Sequence, residues 1–171
     1  MLAGNMRFTD FAQVVSAFVP IDVNAAAQTG DIVSLENYQR CAIIIFGAAG
    51  SAGTDITVTV NQMTDVSNSL ADAKALTFTR IDSKEGASLA AIGTFTATTQ
   101  AAAATYTTTN NEQSQQIYIF DFGVDDLDIA NDFDCIRVSL NAGNAAKVMA
   151  GLYILYGPKF GSATLPSAIV D

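Results

Sequence analysis

Six aspartates fall between positions 121 and 134: Asp121, Asp125, Asp126, Asp128, Asp132 and Asp134. Carboxylates gathered this closely are hard oxygen donors, and the ion they suit is calcium, with Asp125, Asp126 and Asp128 as the candidate ligands. The spacing fits no EF-hand. That loop needs a glycine at its sixth position and a carboxylate at its twelfth, and neither Asp121 nor Asp126 as first ligand meets both conditions. A solvated acidic turn that keeps neighbouring copies apart accounts for the same residues, so no metal site is assigned and these three positions are the ones to inspect.

Other chemistries lack their residues. The chain contains no histidine, which removes the commonest general base, excludes the Ser-His-Asp and Cys-His arrangements and argues against zinc. The stretch Gly47-Ala-Ala-Gly-Ser-Ala-Gly53 has the glycines of a phosphate loop but not its Lys-Ser/Thr pair, and an alternating strand follows it rather than a helix. A hairpin loop explains it. The paired carboxylates of a glycosidase must flank a sugar-binding cleft, and with no tryptophan there is no obvious platform for a sugar. No catalytic residue and no cofactor is expected, and the chain reads as a non-enzyme.

Bulk composition narrows the partners. Seventeen Asp and Glu against eight Lys and Arg give a formal charge of −9, which repels phosphate backbones and anionic lipid, so neither nucleic acid nor a membrane is an expected partner. Half of the 171 residues are apolar and only 15% are charged. That is greasier than an ordinary monomer and hints at surface hidden in an assembly. No run approaches the ~20 apolar residues of a membrane helix, and the N-terminus has no signal-peptide form. The expectation is a soluble protein made in a cytoplasm.

The elements that would position any site are strands. Arg40-Cys-Ala-Ile-Ile-Ile-Phe-Gly47, with three consecutive β-branched isoleucines, suits a central strand buried on both faces, and residues 148–156 and 117–122 share its character and are its natural partners. Residues 56–61 alternate apolar and polar, as do 76–81, and Ile136, Val138 and Leu140 face one way. Residues 94–99 can pair as a strand, and the Thr- and Ala-rich remainder to Asn111 reads as a long loop. Phe8, Phe11, Val15 and Phe18, spaced three and four apart, predict a short amphipathic helix in an N-terminal arm, 1–18, with Thr9 or Asp10 as N-cap. A β-sandwich domain over 19–157 and an extended tail over 158–171 complete the division. The fold class is all-β, an antiparallel sandwich, jelly-roll-like. Its expected core is Ile43, Ile45, Ile119, Ile136, Val138, Leu152 and Ile154.

The order of segments resembles a known class. Ile21-Asp-Val-Asn-Ala-Ala-Ala27, Gly30-Asp-Ile-Val-Ser-Leu-Glu-Asn-Tyr-Gln-Arg-Cys41, Thr57-Val-Thr-Val-Asn-Gln-Met-Thr-Asp65, Lys74-Ala-Leu-Thr-Phe-Thr-Arg80 and Phe133-Asp-Cys-Ile-Arg-Val138 resemble segments of small structural proteins of tailed bacteriophages. The resemblance spans roughly residues 20–156 and consists of strand and turn patterns, so no binding residue carries over. It implies a virion component, the analogy in size and β content being the capsid decoration or cement protein. Such a protein sits on the outside of the head, commonly as a trimer, and binds the major capsid protein. The alternatives are a minor head or tail protein of the virion and a calcium- or carbohydrate-binding β-sandwich module. Hydrophobes in both terminal segments, too sparse for a core of their own, suggest that the ends reach a sister copy or the shell.

Cys41 and Cys135 both lie in apolar strand-like runs and read as reduced core cysteines. Denatured protein should therefore consume two equivalents of a thiol reagent without prior reduction, while the native protein reacts slowly because apolar burial disfavours the thiolate. A thiol titration in and out of denaturant checks both statements.

Overall fold

The computed structural model describes residues 7–51, 55–67, 72–108, 114–160 and 164–169. Expectations for residues 1–6, 52–54, 109–111, 161–163 and 170–171 lie outside them. Eleven strands follow one another: β1 (Ala12–Asp22), β2 (Gln28–Ser34), β3 (Tyr38–Gly47), β4 (Thr57–Met63), β5 (Lys74–Ala75), β6 (Phe78–Gly86), β7 (Thr96–Ala103), β8 (Thr105–Thr107), β9 (Gln115–Gly123), β10 (Cys135–Leu140) and β11 (Val148–Pro158). Two sheets result, one in the order β1-β11-β3-β9-β6-β7 and one in the order β2-β10-β4-β5, with β8 also paired to β4. The isoleucine strand β3 sits inside the larger sheet, between the two partners its composition called for, β11 and β9.

The pairing is nested. First pairs with last, β1 with β11, and moving inward along the chain β2 pairs with β10, β3 with β9 and β4 with β8, all antiparallel. A long hairpin rolled over itself, with successive pairs falling in alternate sheets, is the connectivity of a jelly roll. β6 and β7, which come between β4 and β8, form an inserted antiparallel pair that widens the larger sheet beyond β9.

Side-chain parity separates the core from the surface. Cys41, Ile43 and Ile45 of β3, Tyr118, Phe120 and Phe122 of β9, and Tyr153 and Leu155 of β11 point between the sheets and are buried, facing Val58, Val60, Ile136 and Val138 from the other side. Phe78 packs edge-on against Phe120, their ring centres 5.2 Å apart. Of the expected core, Ile43, Ile45, Ile136 and Val138 are there, but Ile119, Leu152 and Ile154 are not. These three are half-buried on the opposite face, one residue out of phase with the aromatics. The reason is the period of two: in a run that is apolar at every position, hydrophobicity alone cannot say which parity faces inward. β3 is for the same reason buried on one face only.

The N-terminal segment also differs from expectation. Its helix is a single 3-10 turn, Phe8–Asp10, and the chain then enters β1, which runs across the boundary placed at residue 18. Two register shifts in β1, between Ser16 and Phe18 and between Phe18 and Ile21, turn Phe18 into the core beside Gly151. A Cβ on Gly151 would lie 2.8 Å from the Phe18 ring, so glycine is what admits it. Phe8 and Phe11, three apart, meet across the 3-10 turn with ring centres 5.4 Å apart, while Phe18 owes its facing to the bulged strand and not to a helix. Pro20 falls on this strand, at the sheet's edge, where the lost donor is tolerated. The tail likewise returns to its own domain: the Ser34 N–H donates to the Ala168 carbonyl at 2.8 Å, the Tyr38 hydroxyl to the Pro166 carbonyl at 2.5 Å, and Ala168 is buried. β6 continues to Gly86, past the alternating stretch 76–81, and part of the Thr/Ala-rich stretch expected as a loop forms the rest of β7 and β8.

One hydroxyl joins the sheets. Tyr153 of β11 reaches across the core, accepting from the Val138 N–H at 2.9 Å and donating to the Asp31 carbonyl at 2.7 Å. It does so where the β10–β2 ladder shifts register, between Arg137 and Ser139. Gly30 makes room, since a Cβ there would stand 2.7 Å from the Val138 carbonyl and 2.9 Å from the Tyr153 hydroxyl. Tyr153→Phe should leave a buried N–H and a part-buried carbonyl without this partner, at a cost of about 1–3 kcal/mol. Ile45→Ala should cost about 2–5 kcal/mol, as a fully buried aliphatic truncation does. Denaturant melts of the two variants read these losses directly, and a Tyr153→Phe protein as stable as the parent would show that the hydroxyl does not hold the sheets.

Candidate functional site

The outer faces of the two sheets differ. On the smaller sheet, Ile32, Met63 and Cys135 form a second apolar cluster, covered by Val66 and Ala73 from the connection after β4. Arg137 lies on this side too, only 5% exposed, with Nη2 lacking a hydrogen-bond partner. On the larger sheet most outward residues of β1, β11, β3 and β9 stay half-buried or exposed, Ala12 and Ala150 being the small exceptions that are buried.

Register organises that open face into rows. One row reads Val14, Ile154, Ala42, Asp121; the next reads Ser16, Leu152, Ile44, Ile119, Asp82; a third reads Ala150, Phe46, Ile117, Lys84. Apolar side chains therefore continue across neighbouring strands, and Val14 and Phe46 are 44% and 38% exposed. Charge enters at one side and one end. Arg80, Asp82 and Lys84 alternate in sign at two-residue spacing along β6, which places them on one face. Arg80 grips Asp82 through Nη2 at 2.8 Å, and the Lys84 ammonium stands 4.5 Å over the Phe95 ring. At the end, Arg40 Nη2 meets Asp121 Oδ2 at 3.2 Å, and the Tyr156 hydroxyl donates to the same carboxylate at 2.8 Å while accepting from Arg40 Nε at 3.0 Å. Burial, and then the bond to Asp121, raise the Tyr156 hydroxyl above its ordinary pKa. These pairs went unnoticed in the sequence, although the alternation Arg80-x-Asp82-x-Lys84 was the signal for them.

The acidic segment is dispersed by its local structure. Asp121 belongs to the open face, whereas Asp126 caps the 3-10 turn Val124–Asp126 by accepting from the Gly123 N–H at 2.7 Å, and Asp125 is exposed. Asp128 pairs with Lys74 and accepts from the Asn131 amide at 2.8 Å, Asp132 takes a left-handed turn position with φ 63°, and Asp134 accepts from the Cys135 thiol at 3.1 Å. Among the described residues no group of three His, Cys, Asp or Glu side chains is placed to hold a metal. Three open clefts of about 310, 330 and 370 Å³ lie along β6, two of them sharing Arg80 and Asp121 and the third lined by Lys84, Glu85 and Tyr106. Cys41 and Cys135 are both buried and neither is in a disulfide, and burial pushes the Cys41 thiol pKa well up.

Similarity to known proteins is confined to shape. No protein-family model matches the chain, and no curated protein matches it. Among solved structures it is similar to the SPBc2 prophage-derived protein YomS, with a TM-score of 0.44 and 8% identity over 84% of this chain and 92% of that one. It is also similar to a chain of infectious bursal disease virus, strain Gx, with a TM-score of 0.26 and 7% identity over 86% of this chain and 42% of that one. At these TM-scores the likenesses carry no argument, and the fold rests on its own strand pairing. Among the described residues no helix is long and apolar enough to cross a membrane.

The hydrogen bond from Lys74, and then that from Asn131, lower the Asp128 pKa. A carboxylate depressed in the folded state stabilises above its unfolded pKa and loses that contribution as pH falls through the folded value. Asp128→Asn should therefore melt below the parent at neutral pH, and the gap should close as pH drops below the ordinary carboxylate range. Melting curves of the pair at neutral and acid pH test the sign.

Proposed function

We propose that the chain is a structural component of a virion, a decoration protein that binds the outside of a phage head and reinforces the shell. The observation that carries this reading is the open face of the larger sheet: continuous apolar surface on a rigid two-sheet frame, which suits a chain that works in an assembly of several protein copies and not alone. The segment resemblance to small phage structural proteins points the same way. Jelly-roll connectivity supports it by analogy, since that architecture recurs in capsid domains among others. The proposed partner is the major capsid protein. The described parts of both ends are built into this chain's own sandwich, so the contact with that partner is not argued from the terminal segments, and the trimer rests on the resemblance.

A tagged copy expressed during growth of the phage or lysogen that encodes the chain tests the reading. After density-gradient separation of the lysate, the protein should sediment with filled heads and be released by disrupting them. Recovery at the top of the gradient, apart from particles of every kind, would overturn it. Recovery with isolated tails would assign it to the tail instead.

A further inference from the structure

The open face invites an occupant, and its charge distribution says which. Three of the chain's eight Lys and Arg, namely Arg40, Arg80 and Lys84, lie on or beside it with two of the seventeen acids, Asp82 and Asp121. Among the described residues five bases and thirteen acids lie elsewhere, so the rest of the molecule is net acidic and disfavours the approach of a second copy. On this face the signs are mixed and nearly balanced. Its apolar rows can meet apolar rows, and its alternating edge opposes no block of like charge. We propose that a second copy of the chain docks here about a two-fold axis, the two larger sheets packing face to face.

Geometry allows it. Two sheets pack about 10 Å apart with strands roughly 30° from aligned, by interdigitating the side chains of facing layers, and this face presents such a layer. With strands about 4.8 Å apart and about 3.3 Å per residue, the outward residues of β1, β11, β3, β9 and β6 cover about 600 Å² per copy, or about 1,200 Å² in the pair, the lower end of specific interfaces. An isologous contact of this kind closes at two copies. The same face underlies the decoration reading, on which this inference depends only for its biological setting. If it is covered by a sister copy, the shell is bound by another surface of the dimer.

Sedimentation velocity of the full chain at about 100 µM decides the matter. The parent should run at twice its 17.9 kDa mass. Ile44→Glu, in the middle row, and Ser16→Arg, at an already exposed position of the same row, should run as monomers with cooperative melts retained, while Ile169→Glu in the tail should remain a dimer. Should Ile44→Glu fail to fold, Ser16→Arg carries the test alone. A monomeric or trimeric parent, or a Ser16→Arg protein that stays dimeric, overturns the inference. The particle gradient separates the two readings: a dimer absent from heads sinks the decoration role alone, and a monomer bound to heads sinks the pairing alone.

Discussion

A side chain of one sheet completes the hydrogen bonding of the other, and the sandwich depends on that exchange. Where β10 shifts register against β2, the Val138 N–H and the Asp31 carbonyl are met by the Tyr153 hydroxyl, which accepts from one and donates to the other. Buried backbone groups without partners cost more than a hydrogen bond returns, so an irregularity this deep in a core persists only if something answers it. The answer fixes more than two bonds. It sets the distance between the sheets at this point, requires glycine at position 30, and locks the parity of β11, because Tyr153 cannot reach across unless its neighbours Leu152 and Ile154 face out.

Parity then propagates through the sheet. β11 sets β3 on one side and β1 on the other, and β3 sets β9, so the outward position of Leu152 brings Ile44, Ile119 and Ser16 into its row. The nested pairing makes this coupling long-ranged in sequence, since β1 and β11 join the two ends of the chain and close the roll. A terminal segment placed there is structural. The bulges in β1 adjust its reach so that Phe18 fills the gap over Gly151, and the residues of the tail around Ala168 cover the far end of β2.

Strand identity was legible in the sequence because it rests on short-range composition: three isoleucines, a period of two, glycine-rich stops. The pairing of 40–47 with 117–122 and 148–156 followed from their shared character, and the burial of Cys41 and Cys135 outside any disulfide from their surroundings. Facing was not legible, since Ile117 to Phe122 and Leu152 to Leu155 are apolar at most positions and the deciding contact, Tyr153 with a bulge some 120 residues away in sequence at Asp31, is non-local. The helix expected for Phe8 to Phe18 failed because Phe8 and Phe11 belong to a single 3-10 turn, and from Ala12 a strand takes over whose bulges put Phe18 into the core. The aspartates between 121 and 134 looked like one constellation because they are close in sequence. In space one belongs to a sheet face, one caps a 3-10 turn and one pairs with Lys74, which spreads their charge over separate tasks.

Exposed apolar side chains are ordinary, since more than half of any folded surface is apolar, and a scattered set would mean nothing. What distinguishes this face is contiguity enforced by register. Leu152, Ile44 and Ile119 stand directly opposite one another in three successive strands, and the rows on either side repeat the pattern, so water must cover one continuous apolar surface. The same sheet carries aromatic and aliphatic residues inward, so apolar residues occupy both parities of β3, β9 and β11 although one parity would suffice for the core. Strands apolar on both faces belong to sheets covered on both faces. Among the described residues the larger sheet is covered on one, and the composition that made 40–47 read as a doubly buried strand is what the proposed pairing of two copies would bury on both.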